Sequence, residues 1–305
     1  MYGLNRRGFL VGSAAAAATL GHGVASRRLL GADSNPEPER HTSKFKFSLA
    51  AYSYRGLLSG ESPELTLFDF ADDCAKFGLE GTELTSYYFP SPVTTDYLTR
   101  LRRHCFRQGL DVSGTAIGND FGFTPGPERD KQIAQTKGWI EHAAKLGAPV
   151  IRIFAGHKKP GVDGATTHKL MVEGIEECCE VAGQHGIHLA LENHGGPTST
   201  ADGLLELVRD VKSPWFGVNL DTGNFRTDDV YRDIERVAEL AINVQVKVVT
   251  KTLDGKNEPT DFKRLASILR SSRYRGYVVL EYEEAGNPRA ECERYLDSLR
   301  DAFNA

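Results

Sequence analysis

Several classes of protein are excluded by what this sequence lacks. Its five cysteines, Cys74, Cys105, Cys178, Cys179 and Cys292, are odd in number and show no C-x-x-C or other metal-type spacing. That excludes a complete disulfide framework and a cysteine-held zinc site. All five fall in helix-like segments, where buried free thiols are expected. No run of about 20 apolar residues is present, so no membrane span is expected beyond an uncleaved N-terminal signal. Excess positive charge is missing as well: 37 Lys and Arg stand against 41 Asp and Glu, a formal −4. Without the five arginines and three acids of residues 1–43, the remainder holds 32 basic and 38 acidic residues, a formal −6. Nucleic-acid binding needs a clustered basic surface, so nucleic acid is not an expected partner. A glycine-rich phosphate turn is also absent after the first strand-like segment, which continues as Ser53-Tyr-Arg-Gly-Leu-Leu. This argues against a doubly wound, dinucleotide-binding sheet.

At the N-terminus, Asn5-Arg6-Arg7-Gly8-Phe9-Leu10 precedes a weakly apolar, alanine-rich run from Val11 to Leu20. A paired arginine before a modest apolar stretch resembles a twin-arginine export signal, so residues 1–25 are read as a signal segment and the protein as periplasmic. Residues 26–43, with Asp33-Ser-Asn-Pro-Glu-Pro-Glu-Arg40, have the composition of a solvated linker. Export of an already folded chain fits free thiols, since no disulfide has to form outside the cytoplasm.

From residue 44 to 305 the composition does not change regime, and one large domain is expected. Runs of β-branched and aromatic residues alternate with segments of helical period. Predicted strands are Phe45–Tyr54, Leu79–Thr85, Leu110–Ile117, Pro149–Ala155, Ile187–Asn193, Phe216–Asp221, Ile242–Val249 and Gly276–Glu281. A helix is predicted after each, at about Leu65–Phe77, Thr95–Gln108, Pro127–Leu146, Thr167–His185, Thr200–Val211, Asp229–Leu240, Thr260–Ser271 and Pro288–Ala302. Glycines follow four of these helices, at Gly78, Gly109, Gly147 and Gly186, where a left-handed cap is wanted. Eight strand–helix pairs make a (β/α)8 TIM barrel, an α/β fold.

In such a barrel the carboxyl ends of the strands share one face, and here they carry polar residues. Leu189-Ala-Leu-Glu192-Asn-His194, Val218-Asn-Leu-Asp221-Thr-Gly223, Val244-Gln245-Val-Lys247 and Val279-Leu-Glu281-Tyr-Glu283 each run from an apolar strand into acids, amides or bases. Unpaired charge at a core edge is costly, which points to a site rather than to packing. Period-two alternation puts Asn219 and Asp221 on one side of their strand, and Asn243, Gln245 and Lys247 on one side of theirs. Further candidates for substrate contact are His194, Lys247, Glu83 in Gly-Thr-Glu-Leu-Thr, Arg152 inside Val150-Ile-Arg-Ile-Phe154, His157 and Tyr52, the last together with Tyr87, Tyr88 and Phe89 as aromatic walls for a sugar. Each has a plainer structural alternative: a salt bridge from Lys247 to Glu281 or Glu283, a Glu83–Arg152 pair, solvent-facing histidines, an aromatic packed beneath the helices. Trp139 and Trp215 are expected in the core.

The order of these motifs resembles the xylose isomerase-like TIM barrels and, within them, the sugar phosphate isomerase/epimerase group, over essentially all of residues 44–305. The resemblance implies one divalent cation, Mn2+ or Mg2+ with Zn2+ or Co2+ as further candidates, held by Glu192, Asp221, Gln245 and Glu281. Relatives carry histidine where this chain has Gln245, leaving a hard, all-oxygen donor set. By the same resemblance Glu192 and Glu281 are the acid/base pair that moves a proton beside a carbonyl, through an enediolate. The implied function is a sugar isomerase or epimerase with a small carbohydrate substrate, compatible with a homo-oligomer. Export and the missing phosphate loop favour an unphosphorylated sugar. Two alternatives use the same mouth: a keto-sugar or keto-inositol lyase or dehydratase, and a non-catalytic carbohydrate-binding barrel. An apurinic-site endonuclease, also built on this barrel, would need a histidine cluster and a basic face that nine scattered histidines and an acidic body do not supply.

Overall fold

The protein is described from a computed structural model covering residues 44–304; the expected signal at 1–25 and linker at 26–43 lie outside the described residues. Ten strands occur among them: β1 Lys46–Ala50, β2 Gly81–Thr85, β3 Asp111–Ala116, β4 Val150–Ile153, β5 His188–Glu192, β6 Phe216–Asp221, β7 Ala241–Val246, β8 Val249–Lys251, β9 Asn257–Pro259 and β10 Tyr277–Leu280. Eight of these close into a barrel in the order β1-β10-β7-β6-β5-β4-β3-β2, all parallel, while β8 and β9 form a separate antiparallel hairpin. Pairing of β1 with β10, from Lys46↔Tyr277 to Leu49↔Leu280, is the closure that joins the first and last strands of the barrel.

Helices connect the strands: α1 Arg55–Leu58, α2 Leu67–Lys76, α3 Thr95–Arg107, α4 Pro127–Leu146, α5 Gly164–Gln184, α6 Ala201–Asp210, α7 Val230–Val237, α8 Phe262–Ser271 and α9 Pro288–Asn304. Their ends are written in the local sequence. Thr66 and Asp69 form a reciprocal capping box at the start of α2. Gly147, at φ 78°, closes α4 and lets the Ala148 N–H return to the Ala143 carbonyl, turning the chain into β4. Apolar side chains on the outer side of the strands, among them Leu49, Ile151, Leu191, Leu220, Val246 and Leu280, are fully buried beneath the helices. Each such side chain contributes roughly 1.5–3 kcal/mol through removal from water. All five cysteines lie buried as free thiols, and burial pushes Cys105, Cys178, Cys179 and Cys292 up to about 12. Among the described residues no helix is long and apolar enough to cross a membrane.

The inside of the barrel is polar, unlike the branched apolar layers that usually fill this fold. Ser48 Oγ of β1 meets Ser113 Oγ of β3 at 2.8 Å, and Glu83 of β2 accepts hydrogen bonds from Asn243 and Gln245 of β7. Neither strand pair is adjacent in the sheet, so these contacts cross the interior. Buried polar atoms have to be paired, and here they pair with one another.

The fold departs from the sequence reading in two places. The first strand stops at Ala50 instead of reaching Tyr54; Ala51–Tyr54 form a 3-10 turn, and Ser53 Oγ accepts from the Tyr282 N–H at 2.9 Å. That tie folds the segment across the rim beside β10. The strand predicted to run to Val249 ends at Val246, and the β8–β9 hairpin rises beyond it. The Lys247 carbonyl accepts from Thr260 Oγ1 at 2.7 Å, marking where the ladder gives way to the hairpin base.

Candidate active site at the barrel mouth

Glu192 ends β5 and Asp221 ends β6, while Lys247 and Glu281 each follow the last residue of β7 and β10. Register makes them neighbours, with Glu192 opposite Asn219, Asp221 opposite Gln245, and Gln245 opposite Val279. Above them lies a cavity of about 210 Å³ lined by Tyr52, Tyr87, Arg152, Phe154, Glu192, His194, Lys247, Glu281 and Glu283. At about 30 Å³ per water, that is space for a small polar molecule. Size alone does not pick out this site: a cavity of about 680 Å³ near Thr167, Met171 and Pro197 is larger, but its charged lining residues are only Lys158 and Glu206, with His168.

Two ion clusters organise the mouth. Arg152 Nε lies 2.8 Å from Glu192 Oε2 without lining up as a hydrogen bond, so the contact is an ion pair. Arg152 Nη1 donates to the Ile117 carbonyl at 2.6 Å, and its guanidinium sits 4.1 Å from the Phe154 ring centre. The other oxygen of Glu192 accepts from Asn224 Nδ2 at 2.8 Å. In the second cluster Lys247 Nζ lies 2.6 Å from Glu281 Oε2, 2.9 Å from Glu283 Oε1 and 3.4 Å from Asp221 Oδ2. Asp221 Oδ1 accepts from the Gly223 N–H at 2.8 Å, and Oδ2, fully buried, has no hydrogen bond.

Four carboxyls therefore face two fixed cations. Burial pushes Glu192 upward, against the pull of Arg152 and with a further push from Asp221. It pushes Asp221 upward too, opposed by Lys247 and reinforced by Glu281. Lys247 is pulled down by burial, but Asp221, Glu281 and Glu283 outweigh that and hold it well above the usual lysine value, so it stays an ammonium. His194 is lowered by burial and by the Arg152 and Lys247 charges, which leaves a neutral imidazole at neutral pH. Its ring packs 4.5 Å from that of Phe154.

Beneath the cavity floor is a layer of amides. Gln245 Oε1 accepts from Asn219 Nδ2 at 2.7 Å, and Gln245 Nε2 donates to Glu83 Oε1 at 2.6 Å. Asn243 Nδ2 donates to Asn219 Oδ1 at 2.7 Å and to Glu83 Oε2 at 2.9 Å. Burial, with the nearby Glu281 charge, pushes Glu83 up to about 7.

The residues expected to hold a divalent cation are thus close together, but as placed they do not fit one. Both ends of the Gln245 amide are hydrogen-bonded within the protein, and the Lys247 ammonium already sits among the carboxylates. Among the described residues no group of three or more His, Cys, Asp and Glu side chains is arranged to hold a metal ion.

Of the expected substrate contacts, Tyr52, Arg152, His194 and Lys247 line the cavity. Glu83 lies below it, paired with Gln245 and Asn243 rather than with Arg152. His157 is exposed outside it, its backbone N–H donating to Asp120 Oδ1 at 3.1 Å. Trp139 is in the core, with its indole N–H on Thr115 Oγ1 at 3.0 Å, whereas Trp215 is only partly buried. Two site residues were not singled out in advance. Phe154 lies two positions beyond Arg152 and so on the same side of the chain; Asn224 closes the Asp-Thr-Gly-Asn turn and steadies Glu192.

Fold and mouth together define a single-domain (β/α)8 barrel with buried, paired charge at the strand ends. The chain belongs to the xylose isomerase-like TIM barrel family, whose description matches residues 71–302. In sequence it is similar to a 3-dehydroshikimate dehydratase of Bacillus anthracis, 28% identical over 185 residues, covering 58% of this chain and 61% of that protein. In structure it is similar to a D-psicose 3-epimerase crystallised in the presence of D-fructose, with a TM-score of 0.70 at 18% identity, over 86% of this chain and all of that one. A 3-keto-D-glucoside 4-epimerase from E. coli superposes with a TM-score of 0.66 at 17% identity, over 85% of this chain and all of that one.

Proposed function

We propose that this protein is a sugar isomerase or epimerase that moves a proton beside a carbonyl, with Glu192 and Glu281 as the acid/base pair. The observation that carries the reading is that both glutamates line one small cavity and each is held by its own cation, Arg152 or Lys247. A substrate carbon between them loses its proton to one carboxylate. The C–H electron pair becomes the enediolate C=C, and the carbonyl π pair moves onto oxygen. The second carboxyl returns a proton to the other face or to the neighbouring carbon. A carboxylate within hydrogen-bond reach can serve as that base, and the upward shift of Glu192 suits a group that also has to deliver a proton.

Tyr52, Tyr87 and Phe154 supply apolar faces for the C–H face of a sugar ring. Both cavity cations are already matched by carboxylates, which favours an unphosphorylated carbohydrate. The test is a screen of keto-sugars for exchange of carbon-bound hydrogen with solvent deuterium, followed by NMR. Exchange at the carbon beside the carbonyl is expected; a protein that binds such sugars without exchange at any carbon would be a binding barrel instead.

A second reading, a keto-sugar or keto-inositol lyase or dehydratase, is favoured by the sequence likeness to a dehydratase. The same enediolate expels a β-hydroxyl, which takes a proton from the second carboxyl and leaves as water, and the conjugated product would be seen by its ultraviolet absorbance. We also propose that Arg6 and Arg7 direct export to the periplasm. Replacement of both by lysine should retain the protein in the cytoplasm, and continued export would refute the assignment.

A further inference from the structure

We infer that the Lys247 ammonium occupies the place, and supplies the charge, that a divalent cation would otherwise provide, so that the reaction in this barrel has no divalent-metal requirement. This rests on the reading of the mouth as a reaction site. Three acids from the ends of two strands converge on one nitrogen: Glu281 at 2.6 Å, Glu283 at 2.9 Å and Asp221 at 3.4 Å. A dication bound to the same oxygens would sit 2.0–2.6 Å from them, in the space that Nζ fills, and the two positive charges would repel.

The lysine seat is built into the backbone around it. A Cβ on Gly223 would fall 2.6 Å from Lys247 Cγ and 2.8 Å from its Cβ, so the glycine leaves room for the lysine stem. Lys247 N–H donates to Thr222 Oγ1 at 3.0 Å, and the Lys247 carbonyl accepts from Thr260 Oγ1. The side chain is 8% exposed, so its charge has to be paired where it lies. Gln245, meanwhile, is used at both ends within the amide layer.

In the reaction the Lys247 ammonium donates a hydrogen bond to the substrate's carbonyl oxygen, where negative charge develops as the C–H pair is released. A fixed donor aimed at a developing oxyanion is an established way to lower such a barrier. Glu283, with 39% of its side chain exposed, is the outermost of the three acids and the contact that a substrate oxygen can replace.

The test uses the full chain, stripped with EDTA and titrated with Mn2+ alone. Melting temperature and Mn2+ electron paramagnetic resonance are read for wild type, Lys247→Met and Lys247→Arg. Wild type and Lys247→Arg should bind no stoichiometric Mn2+. Lys247→Met should melt lower and regain stability with Mn2+, because its carboxylates then need another cation. A wild-type rise of roughly 5 °C or more at Mn2+ about a hundredfold above a micromolar Kd, with one equivalent bound, would overturn the inference. If Lys247→Met does not fold, the wild-type titration still decides. Deuterium exchange should be unchanged by EDTA; exchange abolished by EDTA and restored by Mn2+ also overturns it. Failure of exchange in a protein without a Mn2+ site would instead count against the reaction and leave the lysine in its place.

Discussion

The ends of β5, β6, β7 and β10 and the ends of β1, β2 and β4 meet at the same mouth with different chemistry. The first group brings Glu192, Asp221, Lys247, Glu281 and Glu283; the second brings Tyr52, Tyr87, Phe154 and a single charge, Arg152. Charge gathered on one side of a buried mouth has to be neutralised locally, and Lys247 does this for three of the four acids. Glu192 is neutralised from the other side, by Arg152 across the β4–β5 seam. On the proposed reading, acid/base chemistry belongs to one half of the barrel, and shape and orientation to the other.

The largest expected effect tests the charged half. Glu281→Gln keeps an acceptor for Lys247 but removes the base, and deuterium exchange should fall about 10²–10⁴-fold. Glu192→Gln should act alike, and the double variant should be little worse than either, since groups acting as a unit are non-additive. Near-normal exchange in both single variants would dissolve the division of labour.

Arg152→Met tests the link between the halves. It leaves Glu192 buried without its cation, and urea unfolding should show a loss of about 3–5 kcal/mol. An unchanged midpoint would mean that Glu192 is neutralised by protonation alone.

A pH series sharpens the contrast between floor and mouth. Glu83 rises from an ordinary 4.5 to about 7 when folded, so the folded state holds its proton more tightly than the unfolded one. Its stabilising contribution is therefore full below about 4.5 and is lost as pH rises through about 7, on the order of 3 kcal/mol in all. Glu192 and Asp221, shifted the same way, add to the trend. Chemical denaturation between pH 5 and 8 should show stability falling, with Glu83→Gln giving a shallower fall. A rise with pH would contradict the shifts.

The smallest effect belongs to the aromatic half. Tyr87→Ala removes part of the wall, and KM should rise by up to about tenfold, roughly 1.4 kcal/mol, with kcat near normal. A kcat loss as large as that of Glu281→Gln would show that the two halves are not separate in function.

Much of this was legible in the chain. Alternation of apolar and polar positions placed Asn243, Gln245 and Lys247 on one side of a strand, and that side proved to be the interior. Glycines after the helices and acids after the strands set the eightfold pattern and its working face. The same alternation could not say which group meets which across the barrel. Gln245 was expected to face a metal and instead donates to Glu83, which precedes it by 162 positions and sits on a strand that is not its neighbour.

What the sequence determined alone is therefore periodic: strand, helix, cap, and a rim of polar ends. What only the tertiary structure decided is the pairing: Lys247 among three acids, Arg152 on Glu192, the Gln245 amide used at both ends. The reason is physical. Side-chain direction follows from local backbone geometry, whereas a partner across a closed barrel depends on strand stagger and on the β1–β10 closure, which no local window contains.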